Sequence, residues 1–309
     1  MKIWSFALIL TLAASALAMP MPSSSRALVP AEIQQIIGVD YRALKDSPTA
    51  QAMKQQLMPE NVKQFEHALK GIGIDAENDV DQLTFASFRS GKKGLQQICV
   101  AEGSFSAKKV LKKMKIKKIT GTKYGTSLIY PMSEGMVMVF LDDNTLAFGD
   151  SASLKSALDA RDGKRPALDS NARMSDMMAA VDGSSVWSIL DQQGTQTMMH
   201  SALGQASSVA DYEQVKKRLL GSRYTMNFQN GVNFDLNVLT SDSMTAATLS
   251  SLVKAGMMFK KMNASPIEKT VIDSMTVDSD SSDLQVHFKT DDQKFQSFLH
   301  SDLFTAVSH

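Results

Sequence analysis

The chain has 309 residues, with 33 lysines and arginines against 32 aspartates and glutamates, and 43% of its residues are hydrophobic. This composition supports a folded core and argues against general disorder, and the balanced charge gives no overall attraction to nucleic acid. Cys99 is the only cysteine, so an intramolecular disulfide is excluded and the fold depends on packing.

The N-terminus predicts a secretory signal peptide. In "MKIWSFALILTLAASALA" a single lysine precedes an apolar run, and the segment ends in Ala16-Leu17-Ala18, an A-x-A cleavage site. We therefore expect residues 1–18 to be removed and the mature protein to be exported, to the periplasm or outside the cell. Residues 19–26, "MPMPSSSR", predict a flexible linker. No later stretch reaches the roughly 20 apolar residues of a transmembrane helix.

The first half of the chain then alternates strand and helix signals. A strand is predicted to begin at Ile36, and Ser47-Pro48 is typical of a helix start. "LTFASFRS" and "LQQICVAEGSF" predict two strands joined by the turn "GKKG", and a lysine-rich helix follows from Ala107. "TKYGTSLIYP" predicts an extra strand.

"MVMVFLDDNTLAFGDSASLKSAL" carries Asp142, Asp143 and Asp150 in a strand, turn, strand and helix pattern. Such carboxylates serve either a chemical site or the backbone. Turn aspartates bond to nearby backbone groups, and an aspartate before a helix accepts hydrogen bonds from its first N–H groups. A similar acidic pattern recurs at residues 275–292 without the same spacing, which favours a structural role over a metal site.

The second half repeats the order of the first. "SSVWSILDQQ" predicts a strand, two helices follow, and Asn230-Gly231 predicts a hairpin turn. A helix from Ala246 to Met262 precedes the second acidic strand pair. We therefore predict an α+β fold of two tandem similar units, each an antiparallel sheet with helices packed on one face. The predicted boundaries are 27–160 for the first unit, 161–169 for a linker and 170–309 for the second unit.

The opening "ALVPAEIQQIIGVDYRALKDSPTAQAM" and the later "FLDDNTLAFGDSASLKSAL" resemble a loose group of exported bacterial proteins of unknown function. The shared features are a Leu-Val-Pro-Ala opening, a Gly-Val-Asp strand, a Ser-Pro helix start and a strand pair ending in Gly-Asp. The resemblance covers mainly residues 27–58 and 136–160. It implies a protein of the bacterial envelope and supplies no catalytic residues.

Motifs for catalysis and metal binding are incomplete. Ser106 and Lys109 satisfy S-x-x-K, the nucleophile and base of penicillin-recognising enzymes, but S-D-N and K-T-G partner motifs are missing. The five histidines are scattered and form no zinc pattern. "DAENDVD" lacks the glycine and glutamate of a calcium loop, so a solvated loop is favoured. Cys99 lies in an apolar strand and predicts a buried side chain. We expect no metal and no cofactor.

Twenty methionines and one lysine-rich segment remain. Methionines on apolar faces favour core or groove packing over copper binding. In "KKVLKKMKIKK" the lysines oppose Val110, Leu111 and Met114, so the segment is either a solvated helix face or a surface for an anionic polymer or lipid. Its lysines are Lys108, Lys109, Lys112, Lys113, Lys115, Lys117 and Lys118.

These observations favour an exported, non-enzymatic binding or scaffold protein of the bacterial envelope, which binds a protein partner or an apolar ligand between its two units. The alternatives are a serine hydrolase that uses Ser106 and Lys109, and a basic surface at residues 108–118 that binds an anionic envelope polymer or lipid. Nucleic acid is not an expected partner, because the lysine run has no interleaved aromatic residues.

Overall fold

A computed structural model of the chain describes residues 20–57, 60–91, 94–204, 207 and 210–299. The predicted signal peptide, residues 1–18, lies outside the described residues. Among the described residues, no helix combines the length and the apolar character needed to cross a bilayer.

The strands of the first half are β1 (Ile33–Asp40), β2 (Val80–Arg89), β3 (Leu95–Gly103), β4 (Thr122–Tyr124), β5 (Ser127–Pro131), β6 (Val137–Phe140) and β7 (Thr145–Gly149). Those of the second half are β8 (Val186–Leu190), β9 (Leu219–Asn227), β10 (Val232–Thr240), β11 (Met275–Asp280) and β12 (Asp283–Thr290). They form one sheet in the order β11-β12-β10-β9-β8-β1-β2-β3-β7-β6-β5-β4, and neighbouring strands run antiparallel. The described chain is therefore α+β with a large antiparallel sheet.

The helices before β8 are α1 (Ser23–Leu28), α2 (Tyr41–Lys45), α3 (Pro48–Leu57), α4 (Glu60–Ile72), α5 (Ala76–Asp79), α6 (Ala107–Ile116), α7 (Ser151–Arg161) and α8 (Ala172–Ala179). Those after β8 are α9 (Gln192–Leu203), α10 (Ala210–Lys217), α11 (Ser243–Met262), α12 (Pro266–Asp273) and α13 (Asp292–Leu299). Their starts follow local chemistry. Asp242, for example, caps α11 by accepting a hydrogen bond from the Thr245 N–H at 2.8 Å.

The two halves join where β1 pairs with β8. Gly38 lies opposite Trp187 in this pairing, and the indole of Trp187 lies where a side chain on residue 38 would have to be. Trp187 is only 2% exposed. A glycine in β1 thus allows the close approach of a large aromatic ring at the junction.

Side chains of the sheet point to two faces. The front face carries Leu83, Cys99 and Leu146, which pack against α4, α5 and α6, and it continues across β10 and β12, which pack against α9 to α13. The back face carries Ile36, Ile98 and Trp187, which pack against α1, α7 and α8.

The prediction that helices pack on one face is therefore wrong for the first half, and α8 against β8 departs from it in the second half. The reason is visible in β3, where Ile98, Cys99, Val100 and Ala101 are buried in succession, so both sides of the strand need cover. In β12, by contrast, buried Leu284, Val286 and Phe288 alternate with more exposed polar residues, so helices need to cover only one side of this strand.

Two predicted linkers also differ from the structure. Within residues 20–26, Met21 and Ser25 are buried, and the Ser25 hydroxyl donates to Glu102 at 2.8 Å. Met21 and Leu28 add apolar side chains to the back-face core, which holds α1 in place. In the segment 161–169, Leu168 is buried for the same reason.

Candidate functional site

The lysine-rich helix predicted from the sequence is α6, and its inner side is fixed in the front-face core. Val110 and Met114 are 3% and 2% exposed, and they pack with Phe105 and with strand residues of β3, β6 and β7. At the start of α6, the N–H of Ala107 donates to the carbonyl of Asp143 at 3.0 Å. The helix therefore cannot rotate without losing buried contacts.

The C-terminus of α6 ends in a Schellman motif. The N–H of Lys118 donates to the Lys115 carbonyl at 3.0 Å, and the N–H of Ile119 donates to the Met114 carbonyl at 2.9 Å. Lys118 has φ 57°, a left-handed conformation that glycine usually supplies at this position. A lysine here retains a positive charge at the helix end and costs some backbone strain.

The outer side of α6 and the residues that end it present seven exposed lysines, which we name the lysine face: Lys108, Lys109, Lys112, Lys113, Lys115, Lys117 and Lys118. Lys108 lies 3.5 Å from the Asp143 carboxylate, and Lys117 donates to the Gly71 carbonyl at 3.3 Å. Among the described residues, the other five pair with no carboxylate. The lysine face therefore carries a concentrated positive charge that remains open to solvent.

A small cavity of about 180 Å³ lies between α6 and the end of α4. Its charged lining comes from Lys70, Lys113 and Lys117. The Lys113 side chain packs over Gly73, which follows the last residue of α4 and has a φ of +85°. Lysines near a helix C-terminus offset its negative dipole end, so these three also stabilise the fold. Sequence reasoning missed Lys70, because its proximity to the lysine face depends on the tertiary contact between α4 and α6.

A second, more open cavity of about 390 Å³ lies at the ends of β1, β2 and β3. The Arg42 guanidinium donates two hydrogen bonds to the Asp81 carboxylate, one of them with an Nε to Oδ1 distance of 2.6 Å. Burial raises the pKa of Glu102 above its ordinary value, and the Asp142 charge adds to this, although the hydrogen bond from Ser25 opposes it. These polar groups therefore already bind one another.

Ser106 and Lys109 do not converge in the way the hydrolase hypothesis requires. Ser106 is half-buried at the N-cap position of α6, where its side chain makes no capping hydrogen bond, and Lys109 is exposed. Neither residue lines the two cavities just described. The pair lies at the edge of the lysine face.

The three aspartates of the 139–158 segment have structural partners. Asp150 accepts hydrogen bonds from the N–H groups of Ala152 and Ser153 at 2.8 and 2.9 Å, which confirms it as the cap of α7. Burial opposes its ionisation, but the hydrogen bonds from Ser153 and Ala152 outweigh it and hold the pKa below the ordinary value. Asp142 accepts from the Asn144 N–H at 2.8 Å.

Groups suited to redox or metal chemistry are not gathered at a site. Cys99 is buried, and desolvation raises the pKa of its thiol well above the ordinary value, so the reactive thiolate is disfavoured. Within the described ranges, no group of three or more histidine, cysteine, aspartate or glutamate side chains is placed to hold a metal ion.

Comparisons with known proteins add little. No protein-family model matches the chain, and no curated protein does either. Among solved structures, crystal form I of TP0453 is similar with a TM-score of 0.46 at 9% identity, over 89% of this chain and 95% of that one. Crystal form III gives a TM-score of 0.48 at 8% identity, over 88% and 96%. A likeness at this level carries no argument about function.

Proposed function

We propose that this chain is an exported, non-enzymatic binding protein of the bacterial envelope, and that its lysine face binds an anionic polymer or lipid surface. The observation that carries the proposal is the exposure of all seven lysines of the lysine face, which lie on α6 and at its C-terminal end, and this helix is anchored through Val110 and Met114. An anchored helix presents its charges in a fixed array, so binding does not have to order the helix first.

The expected energetics are electrostatic. A lysine near an anionic surface contributes about 1 kcal/mol, and the contribution decays within a Debye length of about 10 Å at 0.1 M salt. The seven lysines of the lysine face therefore give useful affinity at low ionic strength and a steep loss as salt rises.

The other two hypotheses have less support. An apolar ligand between two units calls for a cleft lined by both halves, whereas the residues that line the two cavities described above all lie between positions 40 and 145. A serine hydrolase calls for polar groups around Ser106, and the half-buried hydroxyl of Ser106 lies next to an exposed Lys109.

We also infer that the chain consists of two similar units related by duplication. Three observations support this. The sheet order β1-β2-β3-β7-β6 has its counterpart in β8-β9-β10-β12-β11, the helices α6 and α11 follow the third strand of each series, and the counterpart strands β1 and β8 pair antiparallel, as a two-fold axis requires. Superposing the two halves of an experimental structure tests the inference. Matching strands after superposition support it, and unrelated halves refute it.

The binding proposal is tested with a variant that removes four lysines that neither line the cavity nor have an ion-pair partner among the described residues: Lys109→Gln, Lys112→Gln, Lys115→Gln and Lys118→Gln. The matched control removes the same charge from dispersed positions: Lys123→Gln, Lys216→Gln, Lys217→Gln and Lys289→Gln. Soluble polyphosphate and vesicles containing phosphatidylglycerol serve as separate probes and distinguish a polymer from a lipid.

We expect the first variant to lose about 1,000-fold in affinity at low salt, since four contacts of about 1 kcal/mol are removed and each 1.4 kcal/mol is tenfold in affinity. The control should lose much less. Equal losses in the two variants would show that only net charge matters and would refute a dedicated lysine face. Binding of the wild type that does not weaken with salt would refute it as well.

A further inference from the structure

The C-terminal end of α11 exposes a cluster of large apolar side chains. Met258, Phe259 and Met262 are 72%, 57% and 77% exposed, and Ile267 at the start of α12 is 47% exposed. We name these four residues the α11 tip. Single exposed apolar residues are ordinary, but four within ten positions form a patch that monomeric proteins rarely leave to water.

The geometry of α11 explains why the tip is uncovered. The first half of the helix packs on the front face through Ala246 and Leu249, which are buried. Its 20 residues span about 30 Å, whereas the six residues of β11 below it span about 20 Å. Leu252, Val253 and Met257 are only half-buried. The second half of α11 therefore extends beyond the cover that the sheet provides.

Basic side chains surround the tip. Lys254 and Lys260 are exposed on α11, and Lys269 is exposed on α12. Lys261 forms an ion pair with Asp273. Glu268 is buried and accepts a hydrogen bond from the Ser265 N–H at 2.7 Å in a capping box. Its carboxylate is therefore held at the start of α12. The surroundings of the apolar cluster are thus positive.

We propose that the α11 tip docks on an anionic lipid bilayer, with its four apolar side chains below the headgroups and the flanking lysines at the phosphates. The charge complementarity selects this occupant. Lysines that ring an apolar cluster can extend towards headgroups while the cluster lies in the acyl boundary.

This site is independent of the lysine face. Helix α6 packs against β3 and β7, and α11 packs against β11 and β12. Five strands separate β3 from β12 in the sheet, and a twist of roughly 20° per strand turns the two regions by more than about 100°. One flat surface therefore cannot contact both helices at once, and either site can fail without the other.

The test uses vesicles of 70% phosphatidylcholine and 30% phosphatidylglycerol with the mature chain. The variant Met258→Ser/Phe259→Ser/Met262→Ser should weaken co-sedimentation by about tenfold or more, because the apolar contribution is lost. The control is Met244→Ser, which changes the same residue type at 75% exposure on the opposite end of the same helix. It should bind within twofold of the wild type. Because the four replaced side chains, those of Met244, Met258, Phe259 and Met262, are exposed, these changes should leave the fold intact.

A second measurement reports insertion directly. Phe259→Trp places an indole at the tip, and its fluorescence should be quenched by phosphatidylcholine brominated in the acyl chain, in a background where Trp187 is buried. The lysine-face variant described above should keep this quenching even if it no longer binds polyphosphate. An unquenched indole on bound protein overturns the proposal, as do equal losses for the two serine variants, equal binding to neutral vesicles, or no binding by the wild type.

Discussion

Replacing Gly38 with alanine should destabilise the protein at the junction of its two halves. An added Cβ would lie 2.1, 2.3 and 2.4 Å from the Cε2, Nε1 and Cζ2 atoms of Trp187. Ordinary carbon–carbon contacts are about 3.5–4.0 Å, so the indole would have to move by roughly 1.5 Å. Because Trp187 belongs to the buried back-face core, the ring has no free space to enter, and β1 and β8 must separate.

The magnitude follows from two opposing effects. Overpacking of a core costs about 1–3 kcal/mol. Alanine also restricts the unfolded chain, which returns about 0.4–1 kcal/mol. The expected net loss in the free energy of unfolding is about 1–2 kcal/mol. Urea denaturation measures it, and the fluorescence of Trp187 reports on the junction because it is the only tryptophan of residues 19–309.

Gly71→Ala is the matched control. Gly71 lies in the last turn of α4, where an added Cβ would meet only the Ser133 hydroxyl at 3.8 Å. Alanine should therefore stabilise the protein by about 0.5–1 kcal/mol. In a double-mutant cycle followed by circular dichroism, the smaller ring of Trp187→Phe should recover part of the Gly38→Ala loss. A Gly38→Ala protein as stable as the wild type, or a cycle with no coupling, would refute the packing described at this junction.

Three further predictions concern single positions. Lys118→Gly should stabilise the protein by up to about 1 kcal/mol in urea denaturation, because glycine removes the left-handed strain at the end of α6; a loss of stability contradicts this. The hydrogen bonds to Asp242 from Ser241 and Thr245 lower its pKa from 3.8 to about 2. Its ionised form therefore favours the folded state above pH 4, and this contribution disappears as the pH falls to about 2. Asp242→Asn should reduce the acid-induced loss of stability between these values, and an unchanged loss counts against it. Mass spectrometry of the exported protein should find an N-terminus within two residues of Met19, and a retained Met1 excludes a cleaved signal.

Features decided by neighbouring residues could be predicted from the sequence. Asn230 and Gly231 lie in the turn between β9 and β10 with φ of 58° and 96°, the positive values that an Asn-Gly hairpin turn favours. Asp150 caps α7, and α3 begins at Pro48. In each case a hydrogen bond or a backbone preference within a few residues determines the outcome.

Features decided by distant residues could not be predicted from the sequence. The pairing of Gly38 with Trp187 joins strands about 150 positions apart in the sequence, and neither residue carries a local sign of it. The cover of the back face was missed for the same reason, because α1, α7 and α8 come together on it only in the folded chain. Packing across the sheet also orders the Met21 segment, which composition alone assigns to a linker.

Each lysine of the lysine face could be predicted from the sequence. The α11 tip was missed because its methionines were assigned to core or groove packing. A signal was present in the sequence. Apolar residues at 257–259 and at 262 cover more than one side of the helix, and one sheet face can bury only one stripe of it. The apolar residues outside that stripe must then be exposed unless another surface covers them.

The proposed duplication makes α6 and α11 counterparts, and their chemistry has diverged in a consistent direction. Helix α6 keeps Val110 and Met114 as its inner stripe and places lysines on the outside, whereas α11 is longer and places Met258 and Met262 there. The inner stripes of both helices pack on the front face, so their replacement costs stability. The outer residues carry no such constraint. Binding functions are therefore expected on the outer surfaces of these two helices, with the sheet serving as the rigid support that holds them apart.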